Sequence, residues 1–541
     1  MKQAGPNQGK NVGRRGMLAA MAAAAVVVGF NPTTRRWVTE ARADEPGCDP
    51  IPELDGTLAM DEASREEASS DVGNIVHQTP WAVLLPESVD DVAAMVAYCN
   101  QHLIPIAMRG QGHSLFGQSQ AAGGMVIDTS TLDRIHEIAD DYADVGAGVT
   151  WKALFGLTNP MGLTPPALTA YINLAIGGTL SMGGISTNGK TQVDNVRSIQ
   201  VVTGDGNVEW CSDELNSDLF EAVLTGVGQY AIITRVIVEL VPAPERTYQM
   251  VLQYTDPTKF FRDLKILLDR NEIENVFGIM TPPGVQILPD PSLLSPLIGG
   301  VLQPIGNVTS PVTSLLGNLL GGLPGLPVPN LVYFYQIHIG KNFTGAVPDM
   351  AHLLRDMSDN KLLRQAANRS FADFILRIDF FVDLLRAAGL WENVPHLWID
   401  NFLPGETVKT FVTSELSRLA FDDIGVAGLI LLLPIRRAQM TRRYFPAPET
   451  NTDYVYLFSI MTSAPIPGPN TTFVQQKLAR NRQIYERARA AGGKLYPISA
   501  VAIDSSDWAD QHGDNYEELL VLKEMYDPNF LLTPNVHMFA D

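Results

Sequence analysis

The run Met108-Arg109-Gly110-Gln111-Gly112-His113-Ser114, continuing as Leu115-Phe116-Gly117-Gln118, sets two glycines beside a histidine in a polar loop. It follows an apolar stretch, Leu103-Ile104-Pro105-Ile106-Ala107-Met108, that reads as a buried strand. Glycine lets a backbone come close to a ligand, and the N–H groups of such a loop can cradle a pyrophosphate. A histidine held there faces that ligand and not the solvent.

A second glycine run, Ala175-Ile176-Gly177-Gly178-Thr179-Leu180-Ser181-Met182-Gly183-Gly184-Ile185-Ser186, lies downstream. Four glycines in eight residues oppose an ordinary helix, at about 1 kcal/mol each. Apolar flanks and few charges predict a backbone surface packed against a flat ligand. Short strands and helices alternate around both runs. Ser88 reads as the N-cap of a helix over Val89–His102. Strands are expected at Gly124–Asp128 and Ala143–Gly148, and helices at Trp151–Leu157 and Leu219–Leu224. Ser198–Thr203 and Val208–Cys211 form a hairpin around Gly204-Asp205-Gly206, and Ile232–Leu240 is a long strand. No strand-GxGxxG-helix unit with a downstream acid occurs, so a Rossmann site is not expected.

The pattern breaks at Val241-Pro242-Ala243-Pro244, which marks a domain boundary. Beyond it come strand, helix and strand at Tyr248–Tyr254, Pro257–Asp269 and Val276–Met280. Residues 288–330 are rich in Pro, Gly and Leu and nearly without charge; they read either as a lid or interaction surface or as a pair of short core helices. Strands follow at Tyr333–Ile339, Val426–Leu433 and Val455–Met461, with helices at Asn360–Leu385 and Phe473–Ala491.

A chain of 541 residues with 45% apolar and 18% charged residues is a folded protein of two or three domains. Residues 1–43 hold seven Lys/Arg and one acid, so with a net charge of −20 the remainder carries about −26. Such a surface argues against nucleic acid and against anionic lipid. Gly13-Arg14-Arg15-Gly16-Met17-Leu18, the Ala-rich run to Phe30 and the small-x-small Ala41-Arg42-Ala43 predict a twin-arginine leader over residues 1–43. The mature protein would then be periplasmic or secreted, with no stable membrane span; an uncleaved membrane anchor is the alternative reading of the same run. Cys48, Cys99 and Cys211 have no CxxC spacing, so no zinc or metal site is expected.

Several separated motifs in this order resemble cytokinin dehydrogenases, a subgroup of the vanillyl-alcohol-oxidase flavoproteins. The motifs are RGxGHSxxGQ, GGTLSxxGIS, Gly226–Arg235, Val394-Pro395-His396-Leu397-Trp398, Ser506-Asp507-Trp508 and Tyr526-Asp527-Pro528. The resemblance implies an α+β, two-domain flavoprotein. A PCMH-type FAD domain would span 60–243 and a substrate cap 244–499, with 500–541 returning to the FAD domain. It implies FAD linked covalently, and singly, through His113. The backbone of Gly110, Gln111, Gly112 and Ser114, with Gln118, would line the pyrophosphate. Cofactor contact would extend to Arg109, Ala170, Ala175, Gly177, Gly178, Thr179, Ser181, Ile185, Ile233 and Thr533.

Three positions depart from the family pattern. The aspartate that accepts the substrate amine proton in cytokinin dehydrogenases is matched by Ala170, which cannot accept a proton. A glutamate contacting the adenine ring is matched by Phe277, and a C-terminal glutamine near FAD by Val536. The base must then lie elsewhere. Asp400 leads, with a strand-edge carboxylate bonded to Asn401 as its alternative; His396 and Tyr171 follow. The expected activity is hydride removal from a C–H next to nitrogen or oxygen of an apolar small molecule, with oxygen or a quinone as electron acceptor. A genuine cytokinin dehydrogenase, an alcohol or sugar oxidase, and an idle binding protein with the same fold remain as alternatives.

Overall fold

The computed structural model describes residues 27–39, 46–281, 333–420, 423–425 and 428–539. The segment 288–330 and the twin-arginine motif lie outside the described residues. At the N-terminal end, β1 (Val27–Asn31) pairs with both β2 (Arg36–Thr39) and β3 (Asp49–Pro50). Phe30 is fully buried there, against the rings of Trp37, Trp81 and His102. The first two strands thus come from residues that the sequence assigns to a leader.

Among the described residues, the N-terminal half, which the motifs lead one to expect as the FAD domain, is built on two main sheets. In the first, β4 (Thr57–Ala59), β5 (Ala82–Leu85), β6 (Ile106–Arg109) and β7 (Met125–Asp128) lie in the order β4-β5-β7-β6, the last three parallel. The helix Val89–His102 feeds β6. Ser88 and Asp91 cap it reciprocally, and Leu103 closes it in the left-handed region with φ 51°. That cap, followed by Pro105, is why the strand starts at Ile106 and not at Leu103 as the apolar run suggests. The second sheet uses β8 (Ile135–Ile138) and β9 (Tyr142–Gly146). The short β10 (Leu163–Thr164) stands outside it, and β11 (Val196–Thr203), β12 (Val208–Ser212) and β13 (Ala231–Glu239) complete it in the order β12-β11-β13-β9-β8. β14 (Val241–Pro242) leaves the sheet to pair with β10. The C-terminal residues return to this half: Ile106 N donates to the Leu531 carbonyl at 2.8 Å, and Thr533 N to that of Ile106 at 2.7 Å.

The glycine run contains a helical turn, Ile176–Leu180, where the glycines argue against one. Tertiary contacts offset the propensity cost. Ile176 N and Gly177 N donate to the carbonyls of Val149 and Ala147 at 2.9 Å each, and a Cβ on Gly177 would stand 2.9 Å from that of Ala147.

The described residues of the cap form one eight-stranded sheet. Its strands are β15 (Arg246–Tyr254), β16 (Asn275–Thr281), β17 (Phe334–Phe343), β18 (Gln365–Ser370), β19 (Ile399–Pro404), β20 (Leu429–Arg436), β21 (Tyr454–Met461) and β22 (Lys494–Leu495). They lie in the order β18-β15-β17-β16-β20-β21-β19-β22. Strand alternation divides the faces. Ile399, Leu403, Leu432 and Phe458 pack under the helices Pro257–Arg270 and Thr471–Ala490. Phe277, Phe402, Leu433 and Leu457 join the core of the FAD-binding half. Asp400 and Ser459 share that second face with Phe402 and Leu457.

Asn360–Leu385 is not one helix. β18 interrupts it, pairing along the β15 edge from Arg246↔Ser370 to Val251↔Gln365. The helices Phe371–Ile375 and Arg377–Ala387 follow, the first N-capped by Ser370. An open sheet edge claims a polar segment that periodicity alone cannot tell from a helix. Among the described residues no helix is long and apolar enough to cross a membrane.

Candidate functional site

The His113 loop leaves the end of β6 and turns through Gly112 at φ +65°, a conformation that favours glycine. No hydrogen bond joins the amides of Gln111, Gly112, His113 or Ser114 to an acceptor among the described residues. Consecutive free amides in such a turn form an anion cradle. Gly110 meets the second glycine run, since a Cβ there would stand 2.8 Å from that of Ala175. Gly178 borders open space: nothing lies within 4 Å of the point a Cβ would occupy. Free amides, a glycine surface and an unbonded imidazole fit FAD.

The imidazole of His113 is caged by the rings of Tyr171, Trp391 and Trp398, at 5.6, 6.0 and 6.0 Å between centroids. Neither ring nitrogen has a hydrogen-bond partner among the described residues. Burial, with His396 and Arg386 nearby, lowers its pKa to about 4, so the ring is neutral at pH 7. A neutral imidazole keeps one nitrogen lone pair free for bonding.

The three candidate bases differ sharply. His396 is fully buried, with Nε2 2.6 Å from the Trp391 carbonyl and Nδ1 3.0 Å from Ser463 Oγ. A carbonyl only accepts, so Nε2 carries the proton and Nδ1 accepts from Ser463. Both nitrogens are engaged, and none is open to a substrate proton. Tyr171 faces His113 and has Arg386 beside it. Asp400 is 1% exposed. Ser459 Oγ donates to its Oδ1, while Oδ2 is buried with no partner among the described residues. Burial lifts its pKa to about 7, against the pull of the Ser459 hydroxyl. Its partner is therefore Ser459 across the sheet and not Asn401, which points to the other face. Asp400 also lies two residues along the chain from Trp398 of the cage.

Other expected contact residues are already used by the fold. Thr179 Oγ1 accepts from Trp151 Nε1 at 2.7 Å, and Ser181 Oγ donates to the Gly177 carbonyl at 3.0 Å. Thr533 Oγ1 donates to the Gly228 carbonyl at 2.7 Å, fastening the C-terminal segment. Gln118 bridges the two halves, its Nε2 donating to the Pro497 carbonyl at 3.3 Å. Arg109 donates to the Ser70 carbonyl. Ile185 and Ile233 are buried in the core of the FAD-binding half. Phe277 stacks on His338 with 5.1 Å between centroids and 18° between planes. Sequence reasoning missed Asp71, Trp391, Ser459 and Tyr496. Tyr496 accepts from Gly184 N at 3.2 Å. These residues come from distant parts of the chain, and no local sequence signal marks them.

Residues 80–212 match the profile described as FAD binding domain, and residues 331–539 match that of cytokinin dehydrogenase 1, FAD and cytokinin binding. The chain is 30% identical to an uncharacterized oxidoreductase of the fasciation locus of Rhodococcoides fascians, over 90% of this chain and all of that protein. It is 30% identical to cytokinin dehydrogenase 6 of Oryza sativa subsp. japonica, over 89% of this chain and 91% of the relative. The crystal structure of 6-hydroxy-D-nicotine oxidase from Arthrobacter nicotinovorans has the same fold, with a TM-score of 0.63 at 18% identity over 88% of this chain and 96% of that one. With matched profiles on both halves and full-length relatives, the chain belongs to the cytokinin dehydrogenase family of FAD-dependent oxidoreductases.

Proposed function

We propose that this FAD-dependent oxidoreductase carries its flavin covalently through His113 and removes hydride from a C–H next to nitrogen or oxygen of an apolar small molecule. FAD, when bound, would supply the hydride acceptor and the redox chemistry that ends on oxygen or a quinone. The chain supplies position and proton handling. His113, neutral and without a protein partner, is the attachment point. The free amides of residues 111–114 hold the pyrophosphate. Asp400 takes the N–H or O–H proton that leaves with the hydride.

The observation that carries this reading is the buried Asp400 carboxylate with one idle oxygen, on the sheet face turned toward the FAD-binding half. It stands in for the acid missing at Ala170. Phe277 and the aromatic cage favour an apolar substrate. The names of the relatives favour a second reading, a cytokinin dehydrogenase acting on isoprenoid adenines with Asp400 as its base.

Anaerobic bleaching of the bound flavin separates the readings. The panel is isopentenyladenine, a primary aromatic alcohol, an apolar secondary alcohol and a polyol. Bleaching by an apolar alcohol with the adenine inert supports a changed substrate class. Bleaching by isopentenyladenine supports the second reading, and turnover of the polyol alone overturns the apolar preference. Acid precipitation tests the link: flavin should stay with the wild-type polypeptide and leave His113→Ala. We also propose twin-arginine export of the folded holoenzyme, which suits a cofactor acquired before translocation.

A further inference from the structure

The segment Ser69–Asn74 is wedged between the His113 loop and the cap. Val72 N donates to the Gly112 carbonyl at 2.8 Å, and Gly73 N to the Ser114 carbonyl at 3.2 Å. These two carbonyls flank His113. On the other side, the Gly73 carbonyl accepts from His396 N at 2.8 Å. The approach is close enough that a Cβ on Gly73 would stand 1.9 Å from the Leu115 carbonyl oxygen.

Asp71 adds a side-chain clamp to this backbone contact. Its Oδ2 accepts from Ser114 Oγ at 2.9 Å and from Gly117 N at 2.8 Å. Its Oδ1 is buried without a hydrogen-bond partner among the described residues, and the residue is 7% exposed. Burial lifts its pKa to about 6, against the Gly117 amide, the Ser114 hydroxyl and the nearby Arg109 guanidinium. A carboxylate buried with an idle oxygen is a poor choice for stability alone.

We propose that Asp71 is a positioning residue for the flavin. Its carboxylate pins residues 114 and 117 on one side of the loop, so that the amides of 111–114 stay unbonded to protein acceptors among the described residues and the ring of His113 stays in its aromatic cage. The loop is thereby ordered for FAD before FAD arrives, which lowers the entropy lost on binding. The part of the test that reads covalent flavin rests on the proposed His113 link; the part that reads bound FAD does not.

The experiment compares wild type with Asp71→Ala and Asp71→Asn in the full chain. It reads the FAD-to-polypeptide ratio after gel filtration, the rate of flavin incorporation into flavin-free protein, the acid-stable fraction and the melting temperature without flavin. Asp71→Ala should slow incorporation and lower FAD retention about tenfold or more, while the flavin-free melting temperature falls little. Asp71→Asn keeps one acceptor oxygen and should recover most of the loss. Wild-type incorporation in Asp71→Ala overturns the proposal. So does a loss matched by collapse of the flavin-free melting temperature, which is what a role in the fold alone predicts. If Asp71→Ala does not fold, Ser114→Ala removes the side-chain half of the clamp and leaves the Gly117 amide in place: incorporation slowed by less than the loss expected of Asp71→Ala supports the proposal and a wild-type rate overturns it. Wild-type flavin that is entirely lost in acid refutes the His113 link, and the FAD ratio still decides the role of Asp71.

Discussion

Ser459 donates its hydroxyl to Oδ1 of Asp400 across the β19–β21 pair, and Oδ2 of that carboxylate has no partner among the described residues. The serine fixes the carboxylate plane, and the idle oxygen remains to accept a proton. Removing the acceptor should cut anaerobic flavin reduction by roughly a hundredfold or more in Asp400→Asn. Ser459→Ala should cost less, because the carboxylate survives and only its orientation loosens. Stopped-flow reduction of the bound flavin reads both, and an unchanged rate in Asp400→Asn removes this residue from the mechanism.

The same burial gives a pH signature. Asp400 titrates at about 7 in the fold, so the proton-accepting form is lost as pH falls through 7. The rate of flavin reduction should rise from pH 6 to pH 8, and Asp400→Asn should flatten that rise. Stability runs the other way. Between about 4, where an unfolded aspartate titrates, and about 7, the folded protein holds a proton that the unfolded chain has released. Stability from this group is therefore present at low pH and lost as pH rises through that window, by up to roughly 4 kcal/mol. Asp400→Asn should raise the melting temperature of the flavin-free protein at pH 8 and leave it unchanged at pH 4. A lower melting temperature at pH 8 would show that the carboxylate stabilises the fold.

What was legible in the sequence depended on how local its cause was. The helix Val89–His102 was readable because its cap, Ser88 with Asp91, lies within the helix itself. The His113 loop was readable because only glycines permit that turn. Asn360–Leu385 misled because the partner that turns residues 365–370 into β18 is β15, far back in the chain. The idle oxygen of Asp400 and the clamp of Asp71 were invisible for the same reason. Each depends on burial and on a residue many positions away.

Ala170 offers a gain-of-function test. It precedes Tyr171, whose ring lies 5.6 Å from that of His113, so a carboxylate introduced here stands one residue from the cage. In the wild type no acid at this position can accept an amine proton. Ala170→Asp should speed anaerobic bleaching by isopentenyladenine by roughly tenfold or more and leave oxidation of an apolar alcohol unchanged or slower. If the adenine is bleached at the same rate in both proteins, position 170 does not control substrate class.

Phe30 lies within the expected leader, yet it is fully buried against Trp37, Trp81 and His102. A cut after Ala43 would remove β1 and β2 and bare the surface they cover. Deleting a buried phenylalanine typically costs about 3–5 kcal/mol, so Phe30→Ala should weaken the full-length chain by that order in urea unfolding. A chain beginning at Asp44 should lose a similar amount, and iodide should quench its Trp81 fluorescence more strongly. Equal stability of the two chains would mean that β1 and β2 add nothing to the fold and that the leader is free for the export machinery. A mass measurement on protein recovered from the producing cells and from their medium then shows whether residues 1–43 are removed.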